Sequence, residues 1–301
     1  MHLGNEQIVS EYDAESIVVM LQGDNLPHLR SIPSESIDLI VTSPPYNIGK
    51  DYETVLPLEL YIENQRDVIE QCVRVLKPTG NLCWQVGFTK DGKEIVPLDA
   101  IFYPVFKQFG LKLKNRIVWT FGHGMHAQKR FSGRHETILW FAKDLERSYF
   151  NLDAVRVPQK YPGKRHYRGP KKGEYSGHPD GKNPGDVWDI PNVKAHHIEK
   201  TIHQCQFPVG LVQRLIRALS PEGGSVLDPY SGSATTASAA IVEGRKSVSI
   251  ELFPKYYEIG LQRAVMALSG QLKYRPIERP IQEPNPGNPD TRRAHGPGAE
   301  S

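Results

Sequence analysis

The stretch Ile37-Asp38-Leu39-Ile40-Val41-Thr42-Ser43-Pro44-Pro45-Tyr46-Asn47 joins a short apolar run to a polar end that contains two prolines. Far downstream, Ser225-Val226-Leu227-Asp228-Pro229-Tyr230-Ser231-Gly232-Ser233 has the same organisation. A short apolar run followed by turn residues is typical of a strand buried in a parallel sheet. Each polar end then forms a loop at the carboxyl end of a strand, where open α/β sheets bind ligands. If the two strands are neighbours, we expect one crevice to hold both loops.

Strand-like and helix-like segments alternate along most of the chain. This alternation favours an α/β fold with a doubly wound, mainly parallel sheet. We expect the helix that starts at Tyr61 to stop at Pro78-Thr79-Gly80. The predicted strands are at 17–21, 37–41, 81–86, 116–120, 137–141, 225–228 and 248–251, and the predicted helices are at 61–76, 97–109, 208–219, 235–243 and 256–268.

The composition changes between residues 151 and 200. From Arg156 to Gly173 there are seven Lys or Arg residues and no acidic residue. A solvated loop is the simpler interpretation, but a long basic run with interleaved aromatic residues suits a surface that follows phosphates. From Arg275 onward six prolines and almost no apolar residues predict disorder. We therefore predict four parts: two halves of the α/β domain at 1–150 and 201–274, an irregular insert at 151–200, and a disordered Pro-rich tail at 275–301.

The overall composition narrows the class of protein. The 301 residues carry a net charge of +3, which is too small to identify a partner. No stretch approaches the roughly 20 apolar residues that span a bilayer, and no signal-peptide pattern is present. Cys72, Cys83 and Cys205 are far apart, which indicates reduced thiols and no structural zinc. We expect a cytoplasmic protein that binds neither a membrane nor a metal.

The downstream loop has the features of a cofactor site. Gly232 allows a close approach to the backbone, and a helix N-terminus follows it. The spacing matches neither the dinucleotide fingerprint nor a Walker lysine. The Asp228 carboxylate suits a cationic group, and Glu251, at the end of the next strand, is placed for a ribose diol. Together they predict S-adenosylmethionine, although Asp228 could instead cap the helix and Glu251 could simply be exposed.

The upstream loop has the features of a receptor for a flat group with an exocyclic amine. Pro44-Pro45 fixes two φ angles and lacks backbone N–H groups, so its carbonyls are rigid acceptors. Ser43 adds a hydroxyl acceptor, and Tyr46 offers a ring on which the flat group can stack. An ordinary Pro-Pro turn is the alternative interpretation, but the position at a strand end favours the receptor.

From Gly23 to about Leu268 the chain resembles amino-methylating DNA methyltransferases of the permuted group, in which the target-base motif precedes the cofactor motif. Three departures are Tyr230, where the family usually has Phe, Ala234 in place of Gly, and His203-Gln204-Cys205-Gln206 in place of His-Pro-Ala-Gln. The resemblance implies a Rossmann-like methyltransferase sheet with an inserted target-recognition region at 151–200. It is carried by the segments 43–46, 134–139, 181–188, 200–208 and 228–233.

The resemblance also assigns roles to individual residues. The target base would be clamped by Ser43, Pro44, Pro45 and Tyr46. The cofactor S-adenosyl-L-methionine would be bound by Asp24, His203, Gln206, Phe207, Asp228, Pro229, Tyr230, Ser231, Gly232, Ser233, Thr235, Glu251 and Phe253. From the basic composition of the insert, and from the position of Lys50 after the Ser43–Tyr46 loop, we expect double-stranded DNA to be contacted by Lys50, Arg156, Lys160, Lys164, Arg165, Arg168, Lys171 and Lys172.

Several questions about the reaction remain open from the sequence. A base within a duplex must be flipped out before its amine can reach a methyl group. The four residues Ser43-Pro44-Pro45-Tyr46 form the tetrad of the target-base motif. Family members whose tetrad begins with Ser mostly resemble cytosine-N4 enzymes, so we expect N4 methylation, with adenine N6 as the alternative. A protein or RNA amino methyltransferase and a non-catalytic DNA binder are the other classes. We expect a monomer or homodimer within a restriction system, beside a separately acting endonuclease.

Overall fold

The computed structural model of the chain describes residues 7–122, 124 and 126–278. The first half contains β1 (Ile8–Val9), β2 (Val18–Gln22), α1 (Asn25–Ser31), β3 (Ile37–Thr42), α2 (Leu58–Val75), β4 (Leu76–Val86), β5 (Phe88–Asp91), β6 (Glu94–Pro97), α3 (Leu98–Gln108), β7 (Lys112–Thr120) and β8 (His135–Ala142). The second half contains β9 (Val187–Asp189), α4 (Val209–Leu219), β10 (Ser225–Asp228), α5 (Thr235–Val242), β11 (Lys246–Glu251) and α6 (Pro254–Leu268).

Nine strands form one sheet in the order β1-β2-β11-β10-β3-β4-β8-β7-β9. From β1 to β4 every neighbouring pair is parallel. Strand β8 is antiparallel to both β4 and β7, and β9 is parallel to β7. Strands β5 and β6 form a separate hairpin. The prediction of a doubly wound, mainly parallel α/β sheet is therefore confirmed.

The strand order reverses between β10 and β3. These strands are parallel neighbours, with Val226 opposite Leu39 and Leu227 opposite Ile40. From β10 the chain passes through α5 to β11 on one side, whereas from β3 it passes through α2 to β4 on the other. Such a reversal opens a crevice at the carboxyl ends of the two strands. The predicted closeness of the two polar loops is thereby confirmed.

Helices cover both faces of the central strands. Leu82 and Trp84 of β4 pack in the cluster that includes α1, α2 and α3. Cys83, between them, packs in the opposite cluster with α4 and α5. Because successive side chains of a strand point to opposite faces, a sheet covered on both faces favours apolar residues at nearly every position. This explains the continuous apolar runs in the sequence.

The transition from α2 to β4 is more abrupt than the sequence predicted. Helix α2 ends at Val75 and β4 begins at Leu76, so Pro78-Thr79-Gly80 lie within the strand. A Cβ atom at Gly80 would lie only 3.0 Å from the carbonyl oxygen of Asp38. Glycine at this position therefore lets β4 lie close against β3, instead of ending the helix.

Two segments have more contacts than the sequence indicated. Within the predicted irregular insert, β9 joins the edge of the central sheet beside β7. It is three residues long and only Trp188 is buried, so no periodicity marks it. At the start of the predicted disordered tail, Ile277 packs beside Gly210, and Arg217 donates to Glu278 Oε1 at 2.7 Å. Residues 279–301 lie outside the described residues.

None of the helices in the described part of the chain combines the length and the apolar character needed to cross a membrane.

Candidate active site

A cavity of about 270 Å³ lies at the carboxyl ends of β3, β10 and β11. Its wall contains the tetrad Ser43 to Tyr46 and the loop Pro229 to Ser233, so both predicted motifs face the same space. Apart from Asp228, all residues predicted to bind the cofactor also lie in this wall. They include Asp24, His203, Gln206, Phe207, Thr235, Glu251 and Phe253.

The expectation that Asp228 directly contacts a cationic ligand group requires correction. Its side chain is completely buried and lies outside the cavity wall. Thr42 Oγ1 donates to Asp228 Oδ1 at 2.6 Å, and the Tyr230 backbone N–H donates to the same oxygen at 3.1 Å. Burial raises the pKa of the Asp228 carboxyl to about 6. Asp228 therefore fixes the two loops from behind the wall.

Glu251 has the geometry expected of a diol acceptor. Its Oε2 accepts the Gly232 backbone N–H at 2.7 Å, and its Oε1 accepts the Phe253 backbone N–H at 2.9 Å. Each carboxylate oxygen can accept a further donor. Burial raises the pKa of the Glu251 carboxyl to about 7. In the same wall, Ser231 Oγ is buried and has no hydrogen-bond partner among the described residues. Both groups can bind a polar ligand.

Gly232 brings the backbone close to the cavity in a way that other residues would not permit. Its φ of +52° belongs to the left-handed region. A Cβ atom here would lie 2.9 Å from His203 Nε2. Desolvation lowers the pKa of His203 to about 4, so a neutral imidazole packs against the glycine.

The segment that follows the tetrad covers this side of the cavity. Tyr52 stacks on His203 with the ring centroids 5.2 Å apart and an interplanar angle of 12°. Asp51 accepts hydrogen bonds from the Tyr256 hydroxyl at 2.8 Å and from Lys255 Nζ at 2.7 Å. We call Asp51 and Tyr52 the cover. The sequence analysis missed Tyr52 and Tyr256 as wall residues, because no motif marks them, and it gave no role to Cys205 although this residue lies within the segment 200–208.

Gln206 contributes to the wall chiefly through its own loop. Its Oε1 accepts from the Thr201 backbone N–H and hydroxyl at 3.2 and 3.0 Å, and its Nε2 donates to the Glu199 carbonyl at 2.8 Å. These contacts occupy the amide with the loop that carries His203. Gln206 therefore shapes the cavity by holding this loop in place.

The tetrad is held in place from both sides. The Tyr61 hydroxyl donates to the Pro45 carbonyl at 2.7 Å. Asn47, at φ +59°, pairs its side-chain amide with the backbone N–H and carbonyl of Leu56 at 2.7 and 2.8 Å. Among the described residues no donor pairs with the Pro44 carbonyl, and Pro44 lies beside Ser43 in the wall. The loop is therefore rigid, with acceptors at its cavity side.

Glu136 is a functional candidate to which the sequence analysis gave no role. The Tyr46 hydroxyl lies 3.0 Å from Ser43 Oγ and donates to Glu136 Oε2 at 3.2 Å. Gln85 Nε2 donates to the same oxygen at 2.6 Å. The contact to Tyr46 spans 90 positions in the chain, so local patterns could not reveal it.

Most of the predicted DNA-contacting residues lie exposed on the insert. Arg156 is different, because it is largely buried and pairs with Asp153 at 2.7 Å while donating to the Gly181 carbonyl at 3.2 Å. Its assignment to DNA is corrected to a role in holding the insert together. Lys50 is half-buried beside the tetrad loop. The exposed members are Lys160, Lys164, Arg165, Arg168, Lys171 and Lys172.

Within the described residues, no group of three or more His, Cys, Asp or Glu side chains is arranged to hold a metal ion.

Comparisons with known proteins connect this geometry to one family. The N6/N4 methyltransferase family, described as DNA methylase, matches residues 37–262. Type II methyltransferase M.BglII of Bacillus subtilis is 46% identical over 271 residues, covering 87% of this chain and 75% of that protein. DNA adenine methyltransferase YhdJ of Escherichia coli is 36% identical over 253 residues, covering 82% of this chain and 83% of that protein.

Solved structures agree with the fold. PvuII DNA methyltransferase, a cytosine-N4-specific enzyme, matches with a TM-score of 0.65 and 22% identity, over 81% of this chain and 85% of that chain. A DNA modification methylase from Thermus thermophilus, complexed with S-adenosyl-L-methionine, matches with a TM-score of 0.60 and 26% identity, over 83% and 96% of the two chains. The family match covers most of the chain and coincides with the cavity, and this chain therefore belongs to the N6/N4 DNA methylase family.

Proposed function

We propose that this protein transfers a methyl group from S-adenosyl-L-methionine to the exocyclic N4 amine of a flipped cytosine within a specific DNA sequence. The observation that carries the proposal is the shared cavity, which joins the Ser43 hydroxyl to the Glu251 carboxylate and the Gly232 turn. Positioning of the two reactants within hydrogen-bond range supplies most of the acceleration in such a reaction.

The cofactor side of the cavity fits S-adenosyl-L-methionine. Glu251 would accept the ribose hydroxyls, Phe253 would lie near the adenine, and the turn at Ser231 and Gly232 would hold the amino acid part. The structural relative from Thermus thermophilus contains this cofactor. When bound, the cofactor supplies a sulfonium methyl whose S–C bond breaks as the new N–C bond forms.

The tetrad side of the cavity suits a flipped base. Ser43 Oγ and the Pro44 carbonyl would accept the two amine protons, and the ring of Tyr46 would stack on the base. Stacking is worth roughly 1–3 kcal/mol per base and offsets part of the cost of flipping. The exposed basic residues of the insert, among them Lys171 and Lys172, would contact the backbone phosphates of double-stranded DNA.

Cytosine N4 is the first candidate because a neutral hydroxyl, Ser43, begins the tetrad. Adenine N6 is the second candidate, and it is favoured by the 36% identical relative from Escherichia coli, which is named a DNA adenine methyltransferase. The order of motifs, with the tetrad before the cofactor loop, supports the permuted group. Several relatives are type II methyltransferases, which supports a restriction-modification context.

Labelled S-adenosyl-L-methionine and unmethylated genomic DNA of high sequence complexity test this proposal. After the reaction, the DNA is digested to nucleosides and the modified base is identified by mass. We expect N4-methyldeoxycytidine. N6-methyldeoxyadenosine would establish the second candidate, and label found in protein or RNA would contradict both.

A further inference from the structure

Three polar side chains at the candidate active site form a continuous hydrogen-bonded row. Ser43 Oγ lies 3.0 Å from Tyr46 Oη, and the Tyr46 hydroxyl donates to Glu136 Oε2 at 3.2 Å. Gln85 Nε2 fixes the same carboxylate oxygen at 2.6 Å. The row therefore runs from the cavity wall at Ser43 to a carboxylate on β8.

An ionised Glu136 sets the direction of the protons in this row. A carboxylate only accepts hydrogen bonds, so the single hydroxyl proton of Tyr46 is committed to Glu136. The Ser43 hydroxyl then donates its proton to Tyr46 Oη, which leaves the lone pairs of Ser43 Oγ available to an N–H donor. An exocyclic amine presents N–H groups, whereas an exocyclic carbonyl presents none.

We propose that Glu136 is a positioning residue that makes Ser43 an acceptor for the target amine, and that it finally receives the proton which the amine loses. The inference rests on the proposed function, because it accounts for the proton released in that methyl transfer. It also makes Ser43 select an amine over a carbonyl, as the Pro44 carbonyl does by being an obligate acceptor.

The proton balance is complete within the row. When the N–C bond has formed, the amine nitrogen is positive and gives one proton to Ser43 Oγ. The Ser43 proton passes to Tyr46 Oη, and the Tyr46 proton passes to Glu136 Oε2. One proton leaves the base and one arrives on the carboxylate, which later releases it to water.

The surroundings of Glu136 suit a proton acceptor. Desolvation raises the pKa of its carboxyl above the ordinary glutamate value, while the hydrogen bonds from Gln85 and Tyr46 act in the opposite direction. The Glu136 carboxyl also interacts electrostatically with Lys194, in the segment after β9, and with His135, on β8. Both interactions favour the ionised form of Glu136. Burial raises the pKa of Tyr46 well above the ordinary tyrosine value, so Tyr46 stays neutral by receiving the Ser43 proton as it passes its own proton to Glu136.

The test compares Glu136→Gln and Tyr46→Phe with the wild type in single-turnover methylation of unmethylated genomic DNA at saturating cofactor. The glutamine keeps an acceptor oxygen for Tyr46 but cannot take up the proton, and the phenylalanine keeps the stacking ring but interrupts the row. Loss of a general base typically lowers a rate by roughly 10²–10⁴-fold. We expect a loss of this size in each variant and no further loss in the double variant.

The pH profile separates this role from a merely structural one. The wild-type rate should fall as the pH decreases through the Glu136 pKa, and this acid limb should be absent in Glu136→Gln. Glu63→Gln, on the exposed side of α2, is the matched control and should keep the wild-type profile. His135→Asn verifies that the limb does not come from the neighbouring imidazole. Cofactor affinity, measured by calorimetry, should be unchanged in Glu136→Gln.

Two results would overturn the inference. One is a Glu136→Gln variant with the wild-type rate and acid limb, and the other is a double variant whose losses multiply. If the wild-type protein transfers no methyl group to DNA, that result would instead contradict the proposed function, and with it the proton transfer along the row. If Glu136→Gln does not fold, Tyr46→Phe alone reports the rate and the acid limb without changing the carboxylate, and a wild-type rate and acid limb in that variant would overturn the inference.

Discussion

Thr42 Oγ1 lies 2.6 Å from Asp228 Oδ1, in a buried hydrogen bond between the carboxyl ends of β3 and β10. The two residues are 186 positions apart in the chain, yet this bond aligns the loop that carries the tetrad with the loop that faces the cofactor.

The hydrogen bond between Thr42 and Asp228 should contribute measurably to the free energy of unfolding. We expect Thr42→Val to lower the free energy of unfolding by about 1–3 kcal/mol, because it leaves a buried carboxylate with fewer donors. Urea denaturation followed by circular dichroism measures this change. Thr54→Val, at an exposed site, is the control and should leave the unfolding free energy within about 0.5 kcal/mol of the wild type. An unchanged midpoint for Thr42→Val would show that the bond contributes little.

The proposed ribose acceptor predicts a pH dependence of cofactor binding. Glu251 has a pKa of about 7 without ligand, and hydroxyl donors from a ribose would stabilise its ionised form. Binding therefore releases a proton, so cofactor affinity should increase with pH up to about 7 and level off above it. Calorimetry in buffers of different ionisation enthalpy measures the number of protons released when the cofactor binds.

Two variants test whether Glu251 is the group that releases a proton when the cofactor binds. Glu251→Gln should bind cofactor weakly and without this pH dependence, whereas Glu258→Gln, exposed on α6, should behave as the wild type. In the cofactor-free protein, stability changes with pH in the opposite direction to cofactor affinity. The raised pKa of Glu251 gives a contribution to the free energy of unfolding that is present at low pH and is lost as the pH rises through about 7. Affinity that does not vary with pH would exclude Glu251 as the acceptor.

Two glycines have similar backbone conformations, so alanine substitutions at both positions distinguish the effect of backbone strain from that of a side-chain contact. Gly232 and Gly244 have φ values of +52° and +68°, but a Cβ atom would meet His203 only at Gly232. Both alanine variants should lose about 1 kcal/mol of stability or more from backbone strain. We expect only Gly232→Ala to lose cofactor affinity, because His203 must move in the cavity wall. Equal affinities in calorimetry would contradict this assignment.

The insert should reveal its phosphate contacts through salt dependence. We expect Lys171→Ala combined with Lys172→Ala to weaken DNA binding across sequences. The combined change should reduce the slope of log affinity against log salt by about 1 for each lost phosphate contact. Fluorescence anisotropy with duplex DNA measures the slope. Lys107→Ala, exposed on α3, is the control, and an unchanged slope in the double variant would exclude these two lysines.

The position of the site could be predicted from the sequence, because it depends on local patterns. An apolar run before Thr42 and another before Asp228 mark two strands that are buried on both faces, and the turn residues mark their ends. The connections between the loops could not be predicted, because they depend on contacts between distant side chains. The pairing of Tyr46 with Glu136 and the stacking of Tyr52 on His203 belong to this group.

Asp228 shows where chemical reasoning from single residues fails. A carboxylate at a strand end suits a cationic ligand, but the same carboxylate also satisfies the hydroxyl of a neighbouring strand. Only the register between β3 and β10 decides between the two roles. For Arg156 this holds for one of its two partners: Asp153 is three positions away, whereas Gly181 is 25 positions away and contacts Arg156 only when the insert folds back on itself.

The cover has a consequence for protein engineering. Asp51 belongs to the half of the domain that carries the tetrad, whereas its partners Lys255 and Tyr256 belong to the helix after Glu251. A hybrid that combined these halves from two different homologues would lose this attachment unless both sides were exchanged together. The insert, to which we assign recognition of the DNA sequence as a proposal, is attached to the domain elsewhere: the Val118 backbone N–H donates to the Asp186 carbonyl at 2.7 Å, and the Asn151 backbone N–H donates to the Ala218 carbonyl at 2.8 Å. A hybrid in which the insert is exchanged would have to preserve both of these hydrogen bonds.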